Sequence, residues 1–104
     1  MPTKKDDYVF YDIAEAKKYG LRESIILHYL REKHDSFEEK GELVDDMFWS
    51  DQKAIADYTA ISYRSVSNAV RRLEKRGAIS KKISYKPSSL EVTTWWKIND
   101  KENA

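Results

Sequence analysis

Arg64, Asn68, Arg71 and Lys75 recur at the three- and four-residue spacing that places side chains on one face of a helix. At about 100° per residue, with Val66 as origin, they fall between about 140° and 200°, while Ala69, Val70 and Leu73 stay within about 60° of the origin. Glu74 is the one acid of this stretch, on the flank at about 80°. A helix that merely faces solvent mixes both signs to gain i,i+4 pairs. This far face is basic and amide only. The chemistry that suits it is the reading of base edges: the arginine fork matches the two acceptors of guanine, and the asparagine amide matches adenine, both displayed in the major groove. Tyr63, Ser65 and Ser67 bring hydroxyls near the helix start, where phosphates are reached. Downstream stand Lys81, Lys82 and Lys86, with Tyr85 beside the last; a basic loop next to such a helix follows the backbone or enters the minor groove. Lysines on an edge strand also block unwanted pairing, and for Lys81 and Lys82 that alternative stays open. The residues expected to touch DNA are Tyr63, Arg64, Ser65, Ser67, Asn68, Arg71, Arg72, Lys75, Lys82 and Lys86.

The charge distribution agrees. The net charge of the 104-residue chain is only +1, but residues 62–89 carry +7, residues 1–61 carry −5 and residues 90–104 carry −1. Positive charge gathered in one block points to a polyanionic partner. With 40% apolar and 36% charged residues, the composition is that of one small soluble domain. No apolar run, Ile25-Ile26-Leu27 included, comes near the length that spans a bilayer, and no signal peptide is expected. With no cysteine there are no disulfides, thiolate metal sites or thiol catalysis, which fits a cytoplasmic setting. Thirteen aromatics (three Trp, seven Tyr, three Phe) spread along the chain argue against disorder.

These groups need elements to hold them. Residues 1–7 are polar and expected to be flexible. Residues 8–11 form a short aromatic run, a strand or a packing arm. Asp12 caps a short helix that Gly20 stops, with Glu15 three residues after the cap. Leu21, Ile25, Ile26, Tyr29 and Leu30 predict a helix over 21–34 with one broad buried face, and Leu27 widens it. Residues 35–46 read as a charged loop, followed by a short strand around 44–49. Ser50 is the expected N-cap of a helix over 51–58. A tight connection at 59–61 leads to Ser62, the N-cap of a helix over 63–76, which Gly77 ends. Strands are predicted over 78–83 and 92–98, with turn residues 84–89 between them and a polar tail over 99–104. Trp95 and Trp96 alternate across their strand, so one is expected inside and one outside. Two short helices joined by a tight turn make a helix-turn-helix, and a hairpin directly after makes it winged. The expected fold is therefore α+β, mainly α: a single winged domain over 8–98, its helix-turn-helix at about 51–76 and its wing at about 78–98, with an extra N-terminal helix.

The run from Ser50 to Ile79 resembles winged helix-turn-helix domains, most visibly in Ser62-Tyr63-Arg64-Ser65-Val66 and Leu73-Glu74-Lys75-Arg76-Gly77-Ala78-Ile79. Many bacterial regulators, the MarR-like ones among them, share this pattern. Phe48-Trp49-Ser50 ahead of it and Thr93-Thr94-Trp95-Trp96-Lys97-Ile98 at its close are similar to the replication-initiation (replisome organiser) proteins of phages and plasmids. The resemblance covers about residues 8–98. It implies binding of origin or operator DNA through Tyr63, Arg64, Ser67, Asn68 and Arg71, in replication initiation or transcription regulation.

Other chemistries find little support. His28 and His34, six apart, share no helix face and lack metal-ligand spacing. Glu38, Glu39, Glu42, Asp45 and Asp46 form an acidic cluster that suits a divalent ion or a basic protein, and equally a solvated loop. No glycine-rich phosphate loop and no nucleophile–base arrangement is present, so neither an enzyme nor a cofactor is expected. Two readings compete with duplex DNA. In one, the chain is a protein-interaction module that uses residues 35–46 and the apolar N-terminal arm to bind a replication or regulatory partner. In the other, exposed aromatics bind single strands or RNA, for which a small wing offers little platform. Self-association, if any, is expected to be a weak homodimer through residues 8–19.

Overall fold

The computed structural model of the chain describes residues 8–99; the expected flexible start, residues 1–7, and the tail after Asn99 lie outside them. The elements are α1 (Ile13–Tyr19), α2 (Leu21–Glu39), β1 (Phe48–Trp49), α3 (Gln52–Thr59), α4 (Tyr63–Lys75), β2 (Ile79–Tyr85) and β3 (Val92–Ile98). The arrangement is α+β, about half helical, with a three-stranded antiparallel sheet in the order β1-β3-β2.

Local rules set the first helix. The Asp12 carboxylate accepts the Glu15 amide at 3.0 Å, satisfying a donor that the first turn leaves free. Glu15 itself turns away from the cap and pairs with Arg31 at 2.6 Å, tying α1 to α2. Gly20, at φ +116° and ψ 156°, separates the two helices in a region that only glycine visits freely. Residues 8–11 form no strand: they run irregular and exposed, with the Phe10 ring 6.0 Å from that of His28.

Helix α2 runs past His34, the expected end, to Glu39. Residues 35–39 contain no glycine or proline, and the Phe37 ring meets Phe48 at 6.0 Å and Trp49 at 5.7 Å. That tertiary contact holds a turn which periodicity alone does not mark. The chain leaves the helix through Gly41, at φ +70°. On the buried side Ile26, Leu27 and Leu30 are sealed, whereas Leu21, expected with them, overhangs the core at the helix start and is exposed. Tyr29 is buried beside Ser50, its hydroxyl 3.2 Å from Ser50 Oγ. Burial pushes its phenol pKa up, the Ser50 hydrogen bond opposing.

Ser50 belongs to the sheet and not to the cap of α3. Its amide donates to the Thr94 carbonyl at 3.0 Å and its own carbonyl accepts Trp96 Nε1 at 2.8 Å, so the cap position passes to Asp51. Asp51 makes no side-chain cap bond and instead accepts the Thr93 hydroxyl at 2.5 Å. Both tryptophans of β3 are buried, where one had been expected to face outward. The reason is that β3 is the central strand. Trp96 enters the core opposite Phe48, and Trp95 lies on the other face in a row with Trp49 and Lys82. Trp95 Nε1 donates to the Tyr85 carbonyl at 3.1 Å, which satisfies its one polar group. The core joins α2, Phe48, Ile55, the α4 stripe, Ile79, Trp96 and Ile98.

Candidate nucleic-acid interface

Helix α3 ends at Thr59, whose hydroxyl donates to the Ile55 carbonyl at 2.8 Å. Ala60 then takes the left-handed conformation, φ +63°, and its amide donates to the Ala56 carbonyl at 2.9 Å. Ser62 Oγ accepts the Ser65 amide at 3.2 Å and starts α4. Only residues 60–62 separate the two helices, and Ile55 and Val66 are both sealed in the core between them. Val66, Ala69, Val70 and Leu73 are fully buried, which fixes the rotation of α4 about its axis. Burying each Val or Leu of that stripe is worth about 1.5–3 kcal/mol.

The opposite face is left to solvent. Arg64, Asn68, Arg71 and Lys75 are all exposed, as is Tyr63 at the helix start. Arg71 Nη1 donates to Asn68 Oδ1 at 3.1 Å, presetting two of the groups one turn apart. Among the described residues no ion pair holds Arg64, Arg71 or Lys75. The face keeps uncompensated positive charge.

Four of the residues expected at the interface have other duties. Arg72 turns to α2, where its guanidinium pairs with the buried carboxylate of Glu23. Ser67 is half-buried and accepts Gln52 Nε2 at 2.8 Å, which ties α3 to α4. Ser65 is also half-buried, its amide spent on the Ser62 cap. Lys86 does not reach out from the hairpin tip: its ammonium sits 4.9 Å over the Trp49 ring and 3.2 Å from Glu91 Oε1. Lys82 is exposed on the outer face of the sheet, opposite Trp95.

In their place the structure gathers residues that the sequence reading left out of the set. Gln52, first residue of α3, bonds Ser67 of α4, while Lys81 Nζ of β2 lies 3.5 Å from Gln52 Oε1. One amide therefore links both helices with the hairpin. A groove of about 480 Å³ opens here, lined by Gln52, Lys53, Tyr63, Lys81, Ile83 and Val92 among others. The period-two alternation of residues 79–85 was available to show that Lys81 and Ile83 share a face. That Gln52 meets them depends on the packing of three elements.

Elsewhere, His34 is buried with Nε2 3.2 Å from Asp46 Oδ1 and Nδ1 3.4 Å from Asp35 Oδ1. His34, Asp35 and Glu38 bring one ligand atom each within 4.8 Å of one another, but both histidine nitrogens are already engaged and both acids are exposed. No helix of the described residues is long and apolar enough to cross a membrane. Comparison with protein-family models, with curated proteins and with solved structures gives no match.

Proposed function

We propose that this chain is a winged helix-turn-helix domain that binds double-stranded DNA in a sequence-specific manner, with α4 as recognition helix and β2–β3 as wing. The observation that carries the reading is the exposed face of α4: Arg64, Asn68, Arg71 and Lys75 stand on it with no acid among them, while the opposite stripe is sealed in the core. Arg64 and Asn68 occupy the N-terminal half, which enters the major groove deepest in this docking mode. They are the base readers; Arg71 holds the Asn68 amide in place. Lys53, Lys75, Lys81 and Lys82 supply phosphate contacts. The resemblance to replisome organisers, carried by residues 48–50 and 93–98, supports a role in replication initiation or transcription regulation of a phage or plasmid, in the cytoplasm, without cofactor or catalysis.

The test begins with selection of a binding site from a random duplex pool. With about four phosphates neutralised, log affinity is expected to fall with log salt at a slope of roughly −4. Arg64→Ala and Asn68→Ala should each cost about 1–3 kcal/mol on the selected site and much less on scrambled duplex. Equal losses on both duplexes would make the helix an electrostatic anchor without sequence reading. The exposed apolar residues 8–11 favour one alternative, a protein-interaction module without DNA contact. It predicts a flat salt response and no recovered site.

A further inference from the structure

The tip of the hairpin is apolar where charge was expected. Leu90 is 90% exposed, more than any other large hydrophobic side chain of the described residues. Strand pairing sets Ile83 opposite Thr94 and Tyr85 opposite Val92, on the face that also carries Lys81. Ile83, Tyr85 and Val92 are exposed as well. Two of them, Ile83 and Val92, line the groove that reaches Tyr63 at the start of α4. Exposed apolar side chains thus occur from the start of α4 to the tip, interleaved in the groove with Gln52, Lys53, Lys81 and Thr94. Several large apolar groups left exposed on one hairpin mark a contact surface. The basic group nearest the tip is withdrawn, since Lys86 lies over Trp49 and against Glu91. The turn beyond it, Pro87-Ser88-Ser89, carries no charge, and Ser89 Oγ accepts the Glu91 amide at 2.9 Å.

We propose that the wing engages duplex DNA through these apolar side chains: Ile83, Tyr85 and Val92 pack on deoxyribose beside α4, and Leu90 wedges into the minor groove between two base pairs. The inference rests on the DNA-binding reading and gives the wing its role within it. Electrostatics selects the occupant. Ile83 and Tyr85 belong to the segment 62–89, which carries +7, and Lys53 and Lys81 line the groove with Asp51, whose carboxylate is engaged by Thr93, so the partner is a polyanion that also offers apolar surface. Deoxyribose and base faces meet both demands. Insertion of an apolar wedge unstacks one step and kinks the duplex away from the protein, most readily at a flexible pyrimidine–purine step.

The experiment uses the full chain and a duplex that it recovers from a random pool, with a fluorophore pair on the DNA ends. Binding of the unaltered chain should shorten the end-to-end distance. Leu90 lies outside both strands and is exposed, so Leu90→Ala should fold normally by circular dichroism. It should lose the bend and weaken binding about tenfold, with an unchanged salt slope because no charge is removed. Leu90→Met should restore the bend. Lys82→Ala should behave in the opposite way, keeping the bend while its salt slope falls by about one. A straight duplex under the unaltered chain, or a full bend with Leu90→Ala, would overturn the wedge and leave DNA binding standing. Recovery of no duplex at all would overturn DNA binding, and the wedge with it.

Discussion

Arg71 and Arg72 are adjacent in the chain and have opposite environments. Arg71 lies on the open face of α4 and donates to Asn68. Arg72 pairs with Glu23, whose side chain is 7% exposed and lies far away in sequence. A buried carboxylate left without its partner costs several kcal/mol, and the Arg72 side chain, itself 61% exposed, lets water soften that loss. Arg72→Ala is therefore expected to destabilise the fold by about 1–3 kcal/mol in urea denaturation, whereas Arg71→Ala should stay within about 0.5 kcal/mol. Equal stability of the two variants would show that the Glu23 contact carries no weight. Residue types and helical spacing were enough to nominate Arg64, Asn68, Arg71 and Lys75, because one helix determines their common face. They were not enough to remove Arg72 or Lys86, whose partners Glu23 and Trp49 come from other elements.

At the scale of elements, the parts governed by adjacent residues were legible. Asp12 and Ser62 act as N-caps, Gly20 and Gly77 lie at helix ends, and the α4 stripe is buried as its spacing requires. The parts governed by tertiary packing were not. The last turn of α2 rests on Phe37 against Phe48 and Trp49, and Trp95 is covered because β1 flanks its strand as well as β2. Nothing in residues 35–39 or 92–98 alone states either fact. The α1–α2 junction shows how firmly a local rule can bind. Gly20 holds φ +116°, and a Cβ there would collide with the Glu23 carboxylate that Arg72 needs. Gly20→Ala should cost about 1–3 kcal/mol from backbone strain, with a further loss if Glu23 is displaced. Combining it with Arg72→Ala supplies the check. Because both act on Glu23, the double variant should lose less than the two single losses added together. Strict additivity would mean that the glycine matters through its backbone alone.

The whole molecule has two ends. Helix α1 docks at the C-terminal end of α4: the Arg76 guanidinium stacks 5.0 Å from the Tyr19 ring and donates to the Lys18 carbonyl at 3.0 Å. Tyr63, Arg64 and the hairpin groove lie toward the other end. Tyr8, Val9, Phe10, Tyr11 and Ile13 are exposed at or next to the start of α1, so a second copy seated on them leaves the exposed face of α4 free. The chain measures 39 × 38 × 29 Å, and recognition helices must stand roughly 34 Å apart to enter successive major grooves on one side of DNA. An arm and one short helix make a small contact, and a stable interface needs roughly 1,000 Å², so the pair should be weak in free solution and form chiefly on DNA. Phe10→Ser combined with Ile13→Ser removes the two most exposed apolar groups of that surface and leaves the Asp12 cap intact. In sedimentation at high protein concentration the unaltered chain should show reversible self-association, and the double variant none. On DNA, the variant should bind a single half-site like the unaltered chain and lose affinity only for two half-sites one helical turn apart. Unchanged sedimentation together with unchanged two-site affinity would place self-association elsewhere. A loss at the single half-site as well would mean that the arm touches DNA, or that α1 helps to hold α4 in place.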